Sequence, residues 1–454
     1  MHAFFRKRIS HAPLGPQLII ALGFLLIILL VTALLMLPVS SASHTASDPL
    51  TALFTATSAV CVTGLVVVDT FSHWSPFGRV VILLAIQIGG LGVMTVLSLA
   101  ALVFHRRISL RERTLLRESV SSLQLGGGVR LVQRALIGTA IFEGAGAALL
   151  ACRFVPLFGV RQGLFFSVFH AVSAFCNAGF DLMGGYSGAF SSLEAFACDP
   201  LVCLTAIALI LLGGLGFFVW DDLIENRFRF RRLGLHSRAA LLATGVLVIV
   251  PTCLFFAIEG NASMASLSPA PRLLASAFAA VTPRTAGFDT VPLSSLSPAG
   301  TLLTLLLMFI GGNPGSTAGG VKTTTALVLL LVASATLRRE GDVTLLGRRL
   351  ENALIRRACA VAVIYAALSA GATFVLCAIQ PELSMQSVLV EVVSAVNTVG
   401  MSEGITRELV PASRLVIALL MYMGRLGSLT FAVLLAHRPP PAPLRRPVGR
   451  LLIG

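Results

Sequence analysis

SAVNTVGM, residues 394–401, reads like three earlier stretches of the same chain when all four are aligned on one glycine without gaps: SAVCVTGL (58–65), SAFCNAGF (173–180) and VTPRTAGF (281–288). The shared glycines are Gly64, Gly179, Gly287 and Gly400, separated by 115, 108 and 113 residues. One such glycine would be an ordinary loop residue. Four at a nearly constant period mark four units of similar length, and a repeat constrains the fold before any single motif does.

The surroundings repeat too. Upstream of each glycine lies a long apolar run, then a short segment: 49–60, 163–175, 272–282 and 385–396. None reaches the roughly 20 residues needed to cross a bilayer as helix. Downstream comes a second apolar run carrying IGGLG (88–92), LGGLG (212–216), IGGNPG (310–315) or MGRLG (423–427). From the aligned glycine to the first of these glycines the offsets are 25, 34, 24 and 24, the second unit holding extra residues in Asp181 to Pro200. The predicted unit is helix, short re-entrant helix, extended loop, helix.

Composition sets the medium. The 454 residues are 56% hydrophobic and 12% charged, with a mean hydropathy of +0.90, which makes an integral membrane protein. Runs such as Gln17 to Leu37, Val80 to Phe104 and Leu201 to Trp220 are long enough to span as helices, so a β-barrel is not indicated. The first run exceeds a signal-peptide core of roughly 7 to 15 residues and reads as a retained helix. A net charge of +14 would suggest nucleic-acid binding in a soluble chain. Here 25 of the 34 Lys and Arg fall in five places, 6–8, 106–134, 227–238, 338–357 and 438–450, the asymmetry of the positive-inside rule with both termini cytoplasmic. No nucleic-acid partner is expected.

The expected fold is an all-α polytopic membrane protein of eight transmembrane helices, four tandem helix/pore-loop/helix units in pseudo-fourfold array around one pore. The units are 17–104, 129–222, 237–337 and 353–437. Cytoplasmic segments 1–16, 105–128, 223–236, 338–352 and 438–454 flank and join them. Non-helical backbone at membrane depth is tolerated only where it is buried in protein or lines a watery cavity, and four copies about one axis would create that cavity.

The residue types suit a cation. Thr398-Val399-Gly400 resembles the opening of the TVGYG loop through which potassium channels present backbone carbonyls. Its counterparts are Val62-Thr63-Gly64, Asn177-Ala178-Gly179 and Thr285-Ala286-Gly287. Turning carbonyls inward in succession requires one residue per strand to take dihedrals closed to a Cβ, which glycine can. The C-terminal end of each short helix adds a partial negative charge. Asp69, Asp181, Asp289 and Glu403 come after the glycines by five, two, two and three residues and are expected to form an acidic outer vestibule. Hard cations take oxygen, and no nitrogen or sulfur cage is offered, so any metal is expected to be a hard cation held by filter carbonyls. The eight cysteines lack CxxC spacing, and His170 is expected to pack.

Two features break the repeat. In the third unit, Gly311, Gly312, Asn313, Pro314, Gly315, Ser316, Thr317, Gly319, Gly320 and Lys322 interrupt the second helix with residues a stable helix would not choose. The stretch 311–325 is predicted to be a flexible gate loop. GGVKTTT is not a phosphate-binding loop, because Val321 separates Gly320 from Lys322 and no strand precedes it. In the fourth unit, Arg425 places a guanidinium inside the bilayer. It is expected to line the pore, the structural alternative being a pair with Glu143.

CVTGL, CNAGF, PRTAGF and NTVGM, with GGNPGSTAGGVKTTT and Arg425, resemble the Trk/Ktr/HKT superfamily of potassium transporters over residues 17–436. The chain looks most like the Ktr-type membrane subunits; Trk-type subunits carry two further N-terminal helices. The resemblance implies potassium uptake through the bacterial inner membrane, with sodium dependence a family trait. It implies a homodimer in lipid, seated on a cytosolic ring of nucleotide-binding, KtrA-like regulatory subunits that bind the nucleotide. No cofactor is expected on this chain. Arg338 to Arg357 are an expected docking surface. Some plant members carry serine where this chain has Gly64 and favour sodium, so four glycines argue for potassium. The rivals are a sodium-selective or poorly selective pathway on the same scaffold and a solute transporter with inverted repeats, which units of an even number of spans disfavour. No nucleophile, base and orienting group cluster as in an enzyme.

Overall fold

The computed structural model describes residues 16–92 and 128–427. The predicted linker 105–128 and tail 438–454, with their basic residues, lie outside the described residues, apart from Gly128. Among the described residues the strands are a hairpin of β1, Thr344–Leu345, and β2, Arg348–Arg349; the rest is helix and the loops between helices.

The helices are α1, Pro16–Met36; α2, Pro49–Cys61; α3, Pro76–Leu91; α4, Gly128–Phe158; α5, Val160–Phe175; α6, Pro200–Leu215; α7, Phe217–Glu225; α8, Leu235–Ile258; α9, Pro269–Val281; α10, Pro298–Phe309; α11, Thr323–Leu337; α12, Asn352–Ile379; α13, Met385–Val396; and α14, Pro411–Leu426. The helices α1, α4, α8 and α12 are long and apolar enough to cross a membrane. They expose large apolar side chains such as Leu26, Val246, Val363 and Phe374, which only a lipid surface accommodates. The short helices are the inverse. Ten of the thirteen residues of α2 are buried, and Phe54, Phe166, Phe169, Phe175 and Phe278 of α2, α5 and α9 are among the largest fully buried side chains.

The sequence led us to expect the second apolar run of each unit to be a single span; among the described residues those of the second and third units are broken. The helices α3, α6 and α14 each stop after 16 residues, about 24 Å of a hydrocarbon core near 30 Å. They stop at Gly92, Gly216 and Gly427, whose φ values of 81°, 91° and 83° no residue with a Cβ adopts without strain. After Gly216 the chain turns by 90° into α7; the residues immediately after Gly92 and Gly427 lie outside the described residues. The third run stops earlier, at Phe309, and resumes at Thr323. Among the described residues, interruption is thus shared by the second and third runs and is not confined to the third.

Glycine also lets these helices reach the short ones. A Cβ on Gly89, Gly213 or Gly424 would lie 2.1, 1.9 or 2.2 Å from the carbonyl oxygen of Val60, Phe175 or Val396, each four residues before an aligned glycine. Gly213→Ala should therefore lower the thermal unfolding midpoint of the detergent-solubilised protein, costing on the order of 1–3 kcal/mol. Gly144→Ala, where nothing lies within 4 Å, should leave it unchanged or raise it; equal behaviour of the two would refute the close-approach account.

Candidate ion pathway

Each aligned segment leaves the C-terminus of a short helix through left-handed backbone. The first and third residues of every triplet have positive φ: Val62 57° and Gly64 96°, Asn177 57° and Gly179 69°, Thr285 71° and Gly287 75°, Thr398 51° and Gly400 96°. Sequence reasoning anticipated only the glycine. The other position is β-branched in three of four strands, and holding such a residue there costs about 1–3 kcal/mol.

Donors are engaged behind the strands. The amides of Thr63, Ala178 and Val399 donate to the carbonyls of Ser58, Ser173 and Ser394 at 2.8, 2.7 and 2.8 Å, and that of Ala286 donates to Thr282 at 2.9 Å. The Gly64 and Gly400 amides donate to the hydroxyls of Ser58 and Ser394, both at 3.0 Å. The corresponding hydroxyl of Ser173, and that of Thr282, instead donates forward to the carbonyl of Phe180 or Phe288 at 2.7 or 2.6 Å. These hydroxyls stood in the aligned stretches unassigned. With the middle amide of every strand engaged, and the glycine amide as well in the first and fourth, carbonyl oxygens are the main groups the strands can offer to the centre.

The strands close a ring. A Cβ on Gly64 would lie 2.6 Å from the Ala178 oxygen, on Gly179 2.9 Å from Ala286, on Gly287 2.6 Å from Val399, and on Gly400 2.1 Å from Thr63. Each glycine abuts the middle carbonyl of the next strand, and the order first, second, third, fourth returns to the first.

Beneath the ring, residues 310–322 cross between α10 and α11. The Gly311 amide donates to Val321 at 2.8 Å, and the Thr323 hydroxyl to Gly311 at 2.8 Å. Asn313 reaches Gly214 by its amide at 2.9 Å and Thr244 by its side chain at 3.2 Å; the Gly315 carbonyl accepts from Phe217 at 2.9 Å. Pro314 lies against Gly216, and a Cβ on Gly312 would meet Ala318 and Ser316. The Thr317 hydroxyl donates to Phe175 at 3.1 Å and Lys322 Nζ to Ala318 at 2.6 Å. Gly319 and Gly320 lie against Thr398 and Asn397. The loop is therefore tied to the second, third and fourth strands or their helices.

Arg425 supplies the link to the first. It occupies the place of the second glycine in the other runs, Gly90, Gly214 and Gly312. Its guanidinium donates to the carbonyls of Thr317 in the loop and of Gly89 and Gly90 in α3. It does not pair with Glu143, whose carboxyl instead accepts from Gln87 Nε2 at 3.1 Å and lies 3.8 Å from Cys176 Sγ. His170 packs as expected and also braces, its Nδ1 on the Phe166 carbonyl at 2.8 Å and its Nε2 accepting from the Leu182 amide at 3.3 Å.

The four acids differ. Asp69 caps the turn at Thr70–His73 through the Ser72 amide at 2.8 Å and also accepts from Phe190 at 3.2 Å. Asp181 accepts from Met183 at 2.9 Å, and Glu403 from Gln386 and Ser387 at 3.0 and 2.6 Å. Asp289 alone leaves a buried oxygen, Oδ1, without a partner. Glu391, missed in the sequence, is fully buried in α13 and accepts from Ser402 and Thr406, both at 2.6 Å, binding the fourth post-glycine loop to its short helix.

A family profile described as cation transport protein, TrkH, matches residues 15–443. The chain belongs to the TrkH family. It is a multi-pass membrane transporter and not an enzyme. This TrkH-family chain is 38% identical to the potassium/sodium uptake protein NtpJ of Enterococcus hirae over 99% of its length and 98% of that protein. It is 37% identical to the Ktr system potassium uptake protein B of Bacillus subtilis over 99% of both. In fold it matches the potassium transporter TrkH of Vibrio parahaemolyticus with a TM-score of 0.75, covering 95% of this chain and 87% of that one, at 18% identity.

The mouth acids of this TrkH chain should give a pH signature. Burial, with Glu194 and Asp181 nearby, pushes the Asp289 carboxyl up to about 8; burial, with Asp69 nearby, pushes Asp181 up to about 6. Asp289 is thus mostly neutral at pH 7 and gains its negative charge as pH rises through 8. Cation uptake from a limiting external concentration should rise between pH 7 and 9, and Asp289→Asn should flatten that rise; a profile unchanged by the substitution would count against Asp289 as the group.

Proposed function

We propose that the chain takes up potassium across the bacterial inner membrane, through four helix/pore-loop/helix units around one ion path. The middle and flanking carbonyls of the four triplets form the selectivity filter. The observation that carries this reading is the closed ring in which each glycine lies against the middle carbonyl oxygen of the next strand. A cation entering there exchanges water oxygens for carbonyl oxygens, and the short-helix C-termini lower the cost of its charge. The names of the two relatives, potassium/sodium uptake protein and Ktr system potassium uptake protein, support potassium as substrate and sodium as a coupled or regulating ion.

The loop 311–322 is the gate. It lies across the path beneath the filter, and Arg425 and Lys322 add positive charge where a cation would leave. The gate would be released by a cytosolic ring of nucleotide-binding subunits under a homodimer. The hairpin 344–349 and its flanking arginines, on the side carrying the basic linkers, supply a docking surface; the basic linkers also support cytoplasmic termini.

Gly400→Ser would drive a Cβ toward the Thr63 carbonyl at a residue with φ of 96°. In liposomes with purified protein, its potassium-over-sodium uptake ratio should fall by about tenfold or more, and an unchanged ratio would remove the filter assignment. Deleting residues 312–320 or making Arg425→Ala should raise basal uptake. Arg425→Lys separates the causes: it keeps the charge but cannot span the Thr317 and Gly89 carbonyls. Uptake like the alanine variant identifies a latch, and uptake like the parent identifies a charge barrier. Lower flux in a well-folded deletion would argue against a gate.

A further inference from the structure

The second unit is ten residues longer than the third and fourth between its aligned glycine and its glycine pair, an excess that the ring itself does not require. Within that segment, residues 190–193 reach the other three units. The Phe190 amide donates to Asp69 Oδ1 at 3.2 Å, five residues past Gly64. The Phe190 ring carries the Arg407 guanidinium 4.6 Å from its centre, seven residues past Gly400. Ser192 Oγ accepts from the Asp289 amide at 3.0 Å, and the Leu193 amide donates to the Asp289 carbonyl at 2.9 Å, two residues past Gly287.

A four-residue stretch of the second unit therefore touches the first, third and fourth within seven residues of their ring glycines. In the ring order, the first and third strands face each other and the fourth faces the second. A stretch that reaches all three lies over the axis. Its backbone is held in an unusual form, with φ of 107° at Gly188, 65° at Phe190 and 45° at Ser192. Gly64, Gly179 and Gly287 are buried, whereas Gly400 and the residues Ser402, Glu403 and Gly404 beyond it are partly open.

We propose that residues 188–193 form a fixed strap that closes the axial approach and leaves an off-axis entrance beside Gly400 and Glu403, admitting small inorganic cations and excluding bulky organic ones. This rests on reading the ring as the ion path. The test uses tetraethylammonium outside liposomes containing the full chain. The parent should take up potassium unaffected. Replacing 188–192 by two glycines should lower the half-inhibiting concentration by about tenfold or more, and Phe190→Ala with Arg407→Ala, which keeps the backbone hydrogen bonds, should shift it in the same direction. If the shortened chain fails to reach the membrane, the double variant decides. Variants that carry potassium with parental sensitivity overturn the strap.

A readout without flux separates this from the function itself. Asp289→Cys and Ser402→Cys, both two residues past a ring glycine, are placed in a background lacking the exposed Cys152, Cys198, Cys253 and Cys359. A bulky thiol reagent should label Ser402→Cys in the parent and Asp289→Cys only after the strap is loosened. Equal labelling of both in the parent overturns the strap. A parent without potassium flux would overturn the proposed function while the labelling still decides the strap.

Discussion

The contact on which the rest of the molecule depends is a glycine Cα against a carbonyl oxygen, made four times around one axis. At 2.1 to 2.9 Å from the place a Cβ would take, each strand approaches its neighbour more closely than any other residue permits. That approach is possible only if the strands are held from behind. The short helices supply the hold, ending where the strands begin and accepting their amides. Glycine recurs for the same reason one layer down, where Gly89, Gly213 and Gly424 let the second helices touch the short-helix carbonyls.

This explains an inversion of the usual soluble fold. The longest helices carry lipid-facing apolar surface, and the shortest form the most buried structure. A short helix in lipid would leave its terminal carbonyls without partners. Here they accept from the strands and abut the glycine-bearing helices. The four positive-φ residues other than glycine show how strongly the surroundings determine the strand path, since about 1–3 kcal/mol at each must be offset by that enclosure.

Function enters where the fourfold pattern fails. Arg425 replaces a glycine at one of four matched positions and joins the loop 310–322 to α3. The loop itself replaces a helical stretch in the third run. The extra residues of the second unit meet Asp69, Asp289 and Arg407. On the proposed reading, a ring with equal sides would coordinate an ion without preference for direction, and the unequal pieces on its two sides would regulate entry and exit.

Most of the ring could be read in the chain. Gly64, Gly179, Gly287 and Gly400 were legible because a strand conformation closed to other residues leaves a compositional mark that repetition amplifies. The interruption at 310–322 was legible because clustered glycine and proline are residues a stable apolar helix would not choose. The helix breaks at Gly92, Gly216 and Gly427 were not, since a glycine inside an apolar helix and one that ends it look alike until φ is known. Nor could the roles of Ser58, Ser173, Ser394 and Glu391 be assigned, because their partners are set by where a neighbouring strand or loop lies. The partners of Arg425 could not be read for a related reason: a buried guanidinium offers a carboxylate such as Glu143 as the alternative to a pore-lining role, whereas backbone carbonyls carry no mark in a sequence. Sequence by itself thus determined the medium, the repeat and the positions where a Cβ is forbidden, all of which are local demands of solvation and sterics. Only tertiary structure decided the ring order, the tie made by Arg425 and the path of the second unit's extra residues, because these are contacts between segments roughly a hundred residues apart whose backbone groups are chemically identical everywhere in the chain.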